Sequence, residues 1–218
     1  TASNLTIVNG ATGVMRSSRG PIMIGSGVAL PPANTPAPKD SNSIIVIDNA
    51  GRVESTNTSQ DGAINTYLTN ASHTAAPSIT LYNRATGVIQ GARDAIRAGT
   101  MTIDNAGQIL GGAVGGSDAI DVRGSDATGT IVNRNGGVIQ GERAIVGGGG
   151  VGVSPTGGPS AYDPATANLT NYQTSVRHIN VTNEAGGTIR GTSSHAITGV
   201  MGVTIDNAGA IQATGAAA

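Results

Sequence analysis

Three carboxylates are the residues of this chain whose types and spacing best fit a catalytic role. Asp94 and Asp118 each stand directly before an Ala-Ile pair in consecutive copies of a repeat, and Asp121 follows the second pair where Arg97 follows the first. Neighbouring strands of a stacked repeat bring equivalent positions to about 5 Å. That spacing suits the acid pair of a retaining glycosidase. It also suits a surface ion pair between Arg97 and Asp121, worth at most about 1 kcal/mol, which is the interpretation we favour.

Other catalytic chemistries find no support in the sequence. The three histidines, His73, His178 and His195, fall in different copies of the repeat and lack the spacing of metal ligands. There is no cysteine, and no Gly-x-Ser-x-Gly phrase marks a serine nucleophile. The glycine run at 147–150 is not followed by the Lys-Ser/Thr of a phosphate-binding loop, which favours a hinge. We therefore predict no catalytic residue, no metal site and no cofactor.

The composition limits the partners and the kind of core. Lys and Arg number 12 against 13 Asp and Glu, so the formal net charge of −1 predicts no nucleic-acid partner. No stretch of about 20 apolar residues is present, which predicts no membrane insertion in this segment. Aromatic residues make up 2 % of the chain, whereas 38 % is hydrophobic and 34 residues are glycine. This mixture favours short strands of β-branched residues joined by tight turns.

One phrase recurs seven times: two aliphatic residues at alternate positions, an Asn, then a Gly and a further aliphatic residue. Its alternation has a period of two, which is typical of strands. Most copies add a third segment with an Ala-Ile pair, so one copy offers three short strands. The shortest step between copies, from Asn83 to Asn105, is 22 residues, which accommodates three strands with their turns. The Asn positions of the seven copies are Asn9, Asn49, Asn83, Asn105, Asn133, Asn183 and Asn207.

These repeats predict an all-β fold, a right-handed parallel β-helix of about seven three-stranded rungs that forms one domain over 1–218. A single rung cannot bury its own aliphatic side chains, but stacked rungs bury them in three inward files, such as the file of Ile47, Leu81 and Ile103. We expect the Asn column to be structural, with side-chain amides stacked in a ladder at a bend. We expect the Gly column to provide positive φ where the next strand starts.

Three connections between copies are long enough to be loops. They span about 23–44, 65–78 and 146–178. Each follows the third strand of a copy, so all three are expected at one edge of the β-helix. They contain three of the four tyrosines, Tyr67, Tyr162 and Tyr172, which are our candidate binding residues. The alternative is that these loops are tolerated insertions without function.

The phrase Ile-x-Asn-x-x-Gly-x-Ile-x-Gly followed by Asp-Ala-Ile resembles the passenger domains of bacterial autotransporters, the type V secretion pathway. The resemblance covers nearly the whole chain apart from the three loops, and two-partner secreted filamentous adhesins use similar phrases. It implies a passenger exported across the outer membrane to the cell surface through a C-terminal translocator β-barrel of the parent chain. The first residues, Thr1, Ala2 and Ser3, and the alanines at 216–218 are consistent with a fragment of such a passenger. No catalytic motif of the family maps onto this sequence.

Our leading hypothesis is therefore a structural stalk and adhesin that serves cell adhesion, biofilm formation or host contact. Its partners would be a host or matrix protein, a glycan, or further copies of itself. The competing hypotheses are a polysaccharide-degrading enzyme, either a lyase or a glycoside hydrolase that uses Asp94, Asp118 and Asp121, and a pure spacer without binding activity. Exposed apolar end rungs would favour self-association.

Overall fold

The chain forms a parallel β-helix in which short strands alternate with tight bends, as the period of two predicts. A computed structural model describes residues 4–23, 44–58, 62–66, 78–113, 115–122, 127–147, 178–199 and 202–215. All regular structure within these ranges is strand, and the strands form three parallel sheets that we call A, B and C. No helix in the described ranges is long and apolar enough to cross a membrane.

Each of the first six rungs contributes one strand to each sheet in turn, and the seventh contributes strands to sheets A and B within the described residues, so the sheets run in the order of the sequence. Sheet A contains β1 (Leu5–Asn9), β4 (Ile44–Asn49), β7 (Ser78–Asn83), β10 (Met101–Asn105), β13 (Thr128–Asn133), β16 (His178–Asn183) and β19 (Val203–Asn207). Sheet B contains β2 (Val14–Ser17), β5 (Arg52–Ser55), β8 (Val88–Gln90), β11 (Gln108–Leu110), β14 (Val138–Gly141), β17 (Thr188–Gly191) and β20 (Ala210–Ala213). Sheet C contains β3 (Ile22–Met23), β6 (Ile64–Asn65), β9 (Ile96–Ala98), β12 (Asp118–Val122), β15 (Arg143–Gly147) and β18 (Ile197–Gly199).

The register between rungs places equivalent residues of the repeat directly above one another. In sheet A, Ile47 pairs with Leu81 and Leu81 with Ile103, and the Asn residues at the strand ends pair with one another at every step. The inward aliphatic side chains of the inner rungs are buried, apart from the partly buried Ile197 at the edge of sheet C; Ile103, for example, is 0 % exposed. A column this narrow is filled by Ile, Val and Leu, which explains why the chain needs no large aromatic core.

The glycines of the repeat are required for a different reason from the one that the sequence suggested. Among the described glycines, positive φ occurs at Gly116, Gly136 and Gly186, none of which belongs to the column. At Gly107, a Cβ atom would lie 2.2 Å from the carbonyl oxygen of Gly87 in the rung below. The prediction of positive φ is therefore wrong. Glycine is needed because the bends of adjacent rungs approach too closely for any side chain.

The three long connections all leave sheet C and return to sheet A. They follow β3, β6 and β15, and they precede β4, β7 and β16. Most of each connection lies outside the described residues, but its flanking strands are described. The points where the connections leave and rejoin the β-helix therefore lie along one edge, between sheets C and A.

Candidate functional site

The described residues contain two polar arrangements that extend over several rungs: a column of asparagines at the bend between sheets A and B, and a buried charge cluster at sheet C. The candidate binding residues of the loops, Tyr67, Tyr162 and Tyr172, lie outside the described residues. Their positions relative to the two arrangements therefore stay a prediction.

The asparagine column is a continuous ladder of side-chain amides. In each step, the Nδ2 of one asparagine donates a hydrogen bond to the Oδ1 of the asparagine in the next rung. The bonds are 2.8–2.9 Å long and follow the order Asn9, Asn49, Asn83, Asn105, Asn133, Asn183 and Asn207. The described residues thus contain an unbroken line of six amide–amide bonds.

Four of the five inner amides, those of Asn83, Asn105, Asn133 and Asn183, also donate hydrogen bonds to carbonyl oxygens of the bend. The Nδ2 of Asn83 lies 3.3 Å from the carbonyl oxygen of Gly87 in its own rung and 3.1 Å from that of Gln108 in the next. The inner asparagines are at most 1 % exposed. Because a buried polar group without a partner costs about 1–3 kcal/mol, the ladder allows a polar residue to occupy the interior at this bend. The bonds of the ladder also require that the asparagine of one rung lies directly above the asparagine of the rung below.

Ion pairs on the outer surface beside the ladder join neighbouring rungs. The Arg84 guanidinium binds both carboxylate oxygens of Asp48 in the rung below at 2.7 Å, and it lies over the Tyr82 ring, 5.3 Å from its centroid. Arg134 binds Asp104 in the rung below in the same way, at 2.9 and 2.8 Å. These guanidinium contacts lower the pKa of Asp48 and of Asp104 below their ordinary values.

The three candidate catalytic carboxylates lie together, but they are buried. Asp94, Asp118 and Asp121 are 0–1 % exposed, and Arg97 is 2 % exposed. Arg97 forms a short ion pair with Asp94, and its Nε lies 3.3 Å from Asp121. Arg143 binds both oxygens of Asp118, at 2.7 and 3.0 Å. The sequence therefore predicted the Arg97–Asp121 pair correctly, but its assignment to the surface is wrong.

The surface assignment failed because sheet C is buried on both faces in these rungs. Asn65, Arg97, Asp121 and Val146 are paired in register on the face opposite the aliphatic core, and each is at most 8 % exposed. Sequence analysis also missed Arg143. The position of Arg143 in the repeat could have identified it, because Arg143 stands two residues before an inward isoleucine, as Asp94 and Asp118 do.

Burial gives Asp118 unusual protonation behaviour. Removal from water raises the pKa of Asp118 to about 7, although the bonds from Arg143 oppose this effect. The negative charges of Asp121 and Asp94 contribute to this rise. The backbone N–H of Asp118 also donates a 3.0 Å hydrogen bond to Asp94. Three carboxylates thus share two guanidinium groups, and burial favours the protonated form of Asp118.

These carboxylates are less accessible than the catalytic carboxylates of an enzyme that acts on polysaccharides. A retaining glycosidase has two carboxyl groups on either side of a bound sugar, whereas Asp94, Asp118 and Asp121 are buried and bound to arginines. The described part of the chain contains no group of three His, Cys, Asp or Glu side chains that could hold a metal ion.

The two described histidines, His178 and His195, belong to the same rung, so the prediction that the histidines fall in different copies is wrong. Each one bonds to a hydroxyl group. The His178 Nε2 lies 2.9 Å from the Thr204 hydroxyl, and the His195 Nδ1 lies 2.9 Å from the Ser194 hydroxyl. His73 lies outside the described residues.

Comparisons with protein-family models, with curated proteins and with solved structures find no match for this chain.

Replacement of Asn105 by alanine is expected to lower the free energy of unfolding by about 2–5 kcal/mol, because it leaves the Nδ2 of Asn83 and the Oδ1 of Asn133 without their partners. Urea denaturation measures this change. The matched control is Asn207→Ala, at an exposed asparagine that ends the described ladder and accepts one bond from Asn183. It is expected to cost about half as much, because only the Nδ2 of Asn183 loses a partner. Equal losses in the two variants would show that the ladder contributes little.

The stability of the folded chain is expected to fall between pH 4 and pH 7 because of Asp118. Over this range, the unfolded chain has lost the Asp118 proton and the folded chain retains it, so a rise in pH favours unfolding. The expected slope is at most about 1.4 kcal/mol per pH unit. Asp118→Asn should flatten it, whereas Asp48→Asn should not, because the lowered pKa of Asp48 acts below this range. A slope that is unchanged in Asp118→Asn would contradict the assignment.

Proposed function

We propose that this chain is part of a bacterial cell-surface passenger, exported across the outer membrane, in which the β-helix is a stalk and the long connections make adhesive contacts. The observation that carries the stalk role is the amide ladder that runs from Asn9 to Asn207 without a gap. Every rung adds aliphatic residues to the core and one asparagine to the ladder. Such a fold gains length without enlarging its core.

Contacts between rungs along the axis of the β-helix favour a stiff rod over a set of repeats that bend freely relative to one another. Backbone hydrogen bonds join the rungs in three sheets, and the amide ladder adds side-chain bonds in the same direction. On the surface, Arg134 binds Asp104 one rung below and Glu184 one rung above, so a single side chain spans three rungs. Bending the rod would strain all of these contacts together. A stalk that holds its binding loops away from a cell needs this property.

The adhesive role is supported by the common edge of the three long connections. Their flanking strands bring them out between sheets C and A, so contacts made by different connections could act on one partner. Tyrosines are frequent at binding hot spots because they combine a large apolar ring with a hydroxyl group. Tyr67, Tyr162 and Tyr172 are therefore our candidates for contacts with a host or matrix protein or with a glycan.

The adhesive role predicts that the purified chain binds to at least one of three coated surfaces, which carry fibronectin, collagen or mucin. The triple variant Tyr67→Ala, Tyr162→Ala, Tyr172→Ala should then bind at least about fivefold more weakly, since an interface hot spot contributes more than about 1 kcal/mol. Biolayer interferometry measures the affinities. The control is Tyr82→Ala, at the described tyrosine on the outer face of sheet A, which should bind like the original chain.

The outcomes of this experiment separate adhesin from spacer. Binding that survives in the triple variant would contradict the tyrosine assignment. If the original chain binds none of the three coatings and also fails to bind cultured epithelial cells, the pure spacer becomes the better account.

The second candidate function, a polysaccharide-degrading enzyme, is favoured by one observation. A carboxyl group with a pKa of about 7, like that of Asp118, can act as a general acid at neutral pH. The burial of the cluster argues against access by a polymer. We expect no release of reducing ends or of unsaturated products from polygalacturonate or from a neutral β-glucan. Release that Asp118→Asn abolishes and Thr102→Ala preserves would contradict the stalk proposal.

A further inference from the structure

Two asparagines of the chain are directly followed by glycine, and the fold places them in different surroundings. They are Asn9 and Asn135, and both lie where the chain passes from sheet A to sheet B. Asparagine is among the chemically labile residues of proteins. A following glycine adds to this lability, because it has no Cβ atom to keep its backbone nitrogen away from the asparagine side chain.

Asn135 is exposed at the outer end of the bend in the fifth rung. It lies two residues beyond the ladder residue Asn133, and its side chain forms no hydrogen bond with another described residue. Gly136 is exposed as well, and its φ is 79°. The equivalent positions of the third and sixth rungs hold Ala85 and Ala185. The fold therefore does not require the Asn135 amide, which leaves this amide free to react.

Gly186 of the sixth rung leaves open space beside this dipeptide. A Cβ atom at Gly186 would lie 2.2 Å from the Oδ1 and 3.1 Å from the Cγ of Asn135, and 3.7 Å from the backbone nitrogen of Gly136. The Cγ of Asn135 and the nitrogen of Gly136 therefore face one position that no side chain fills. The N–H of Gly136 donates a hydrogen bond of 3.2 Å to the carbonyl oxygen of Gly186. This length is at the long end of the usual range, so the bond restrains the nitrogen only weakly.

We propose that Asn135 and Gly136 form a site of spontaneous deamidation through a cyclic imide. The backbone nitrogen of Gly136 attacks the Cγ of Asn135, so that a nitrogen–Cγ bond forms and the bond from Cγ to Nδ2 breaks. Nδ2 leaves as ammonia and takes up the proton that the backbone nitrogen loses. Water then opens the imide: addition at Cγ gives aspartate, and addition at the backbone carbonyl carbon gives isoaspartate, whose main chain is one carbon longer. This modification is independent of the proposed stalk and adhesive roles.

The same dipeptide at Asn9 is protected by the amide ladder. Asn9 is 5 % exposed, and its Nδ2 donates a 2.8 Å hydrogen bond to the Oδ1 of Asn49. Loss of this Nδ2 as ammonia would break the ladder bond and place a carboxylate at a buried position, which is unfavourable. The structure therefore distinguishes two sites that the sequence alone presents as equivalent.

Deamidation at Asn135 changes the surface of the bend and leaves the ladder in place. It adds a negative charge beside Arg134, which already binds Asp104 and Glu184. In the imide, the backbone nitrogen of residue 136 carries no proton, so its bond to the sixth rung is lost. The ladder bond from Asn133 to Asn183 does not involve the reacting atoms. We therefore expect the modified chain to stay folded.

The first experiment incubates the full chain at mildly alkaline pH, because the attacking nitrogen must lose its proton, and follows both sites by peptide mass mapping. Deamidation at Asn135 should be at least about tenfold faster than at Asn9, a difference of about 1.4 kcal/mol in activation free energy. Equal rates, or a faster reaction at Asn9, would overturn the proposal. In concentrated urea the two sites should react at similar rates, because unfolding releases Asn9 from the ladder. A difference that persists unchanged in urea would show that the structure is not its cause.

The second experiment uses the variant Asn135→Gln, which keeps an exposed amide but would have to form a larger and less favourable ring. Ion-exchange chromatography should show an acidic form that accumulates with time in the original chain and is nearly absent in the variant. Because the Asn135 side chain has no hydrogen bond with another described residue, the variant should unfold in urea at the same midpoint as the original chain. An acidic form that accumulates equally in both chains would overturn the proposal.

Discussion

The structure depends on the hydrogen bond from one asparagine side chain to the next. A parallel β-helix has no loop pairing to determine how its rungs align, and a slip by one residue would turn every inward side chain outward. The amide ladder opposes such a slip, because only the observed alignment gives each buried Nδ2 the Oδ1 of the next asparagine as an acceptor. Apolar burial supplies most of the driving force for folding. The asparagines select one register from those that apolar burial alone would permit.

The need to keep the rungs in this alignment also explains the glycines and the polar surface around the ladder. Rungs that stack at strand spacing bring their bends into contact, and at Gly107 the neighbouring carbonyl oxygen leaves no space for a Cβ atom. Asparagine and glycine therefore occur together in every copy, one to bond along the axis and the other to allow the approach. Arginines beside the bend, such as Arg84 and Arg134, then join rungs from the outside.

Sheet C differs from the bend between sheets A and B in the polar residues that it buries. Its outward face contains charged and polar residues that are buried, and Arg97 is bound by Asp94 and Asp121 where a solvent-facing strand would carry free charges. Sequence analysis predicted the fold and the stacking of equivalent residues because both are local consequences of periodicity. It did not predict that Asp121 is buried, since an alternating strand pattern specifies which residues share a face and not whether that face meets water. Its reason for the glycines was also wrong, because close approach between rungs is a three-dimensional constraint.

Solution NMR of the chain labelled at its asparagine side chains tests the central claim most directly. The account predicts slow hydrogen exchange of the inner Nδ2 groups and contacts between successive amides in the order of the rungs, so that Asn83 shows contacts to Asn49 and Asn105 and to no other asparagine of the column. Exchange of these amide protons as fast as in an unfolded peptide, without contacts between them, would contradict it.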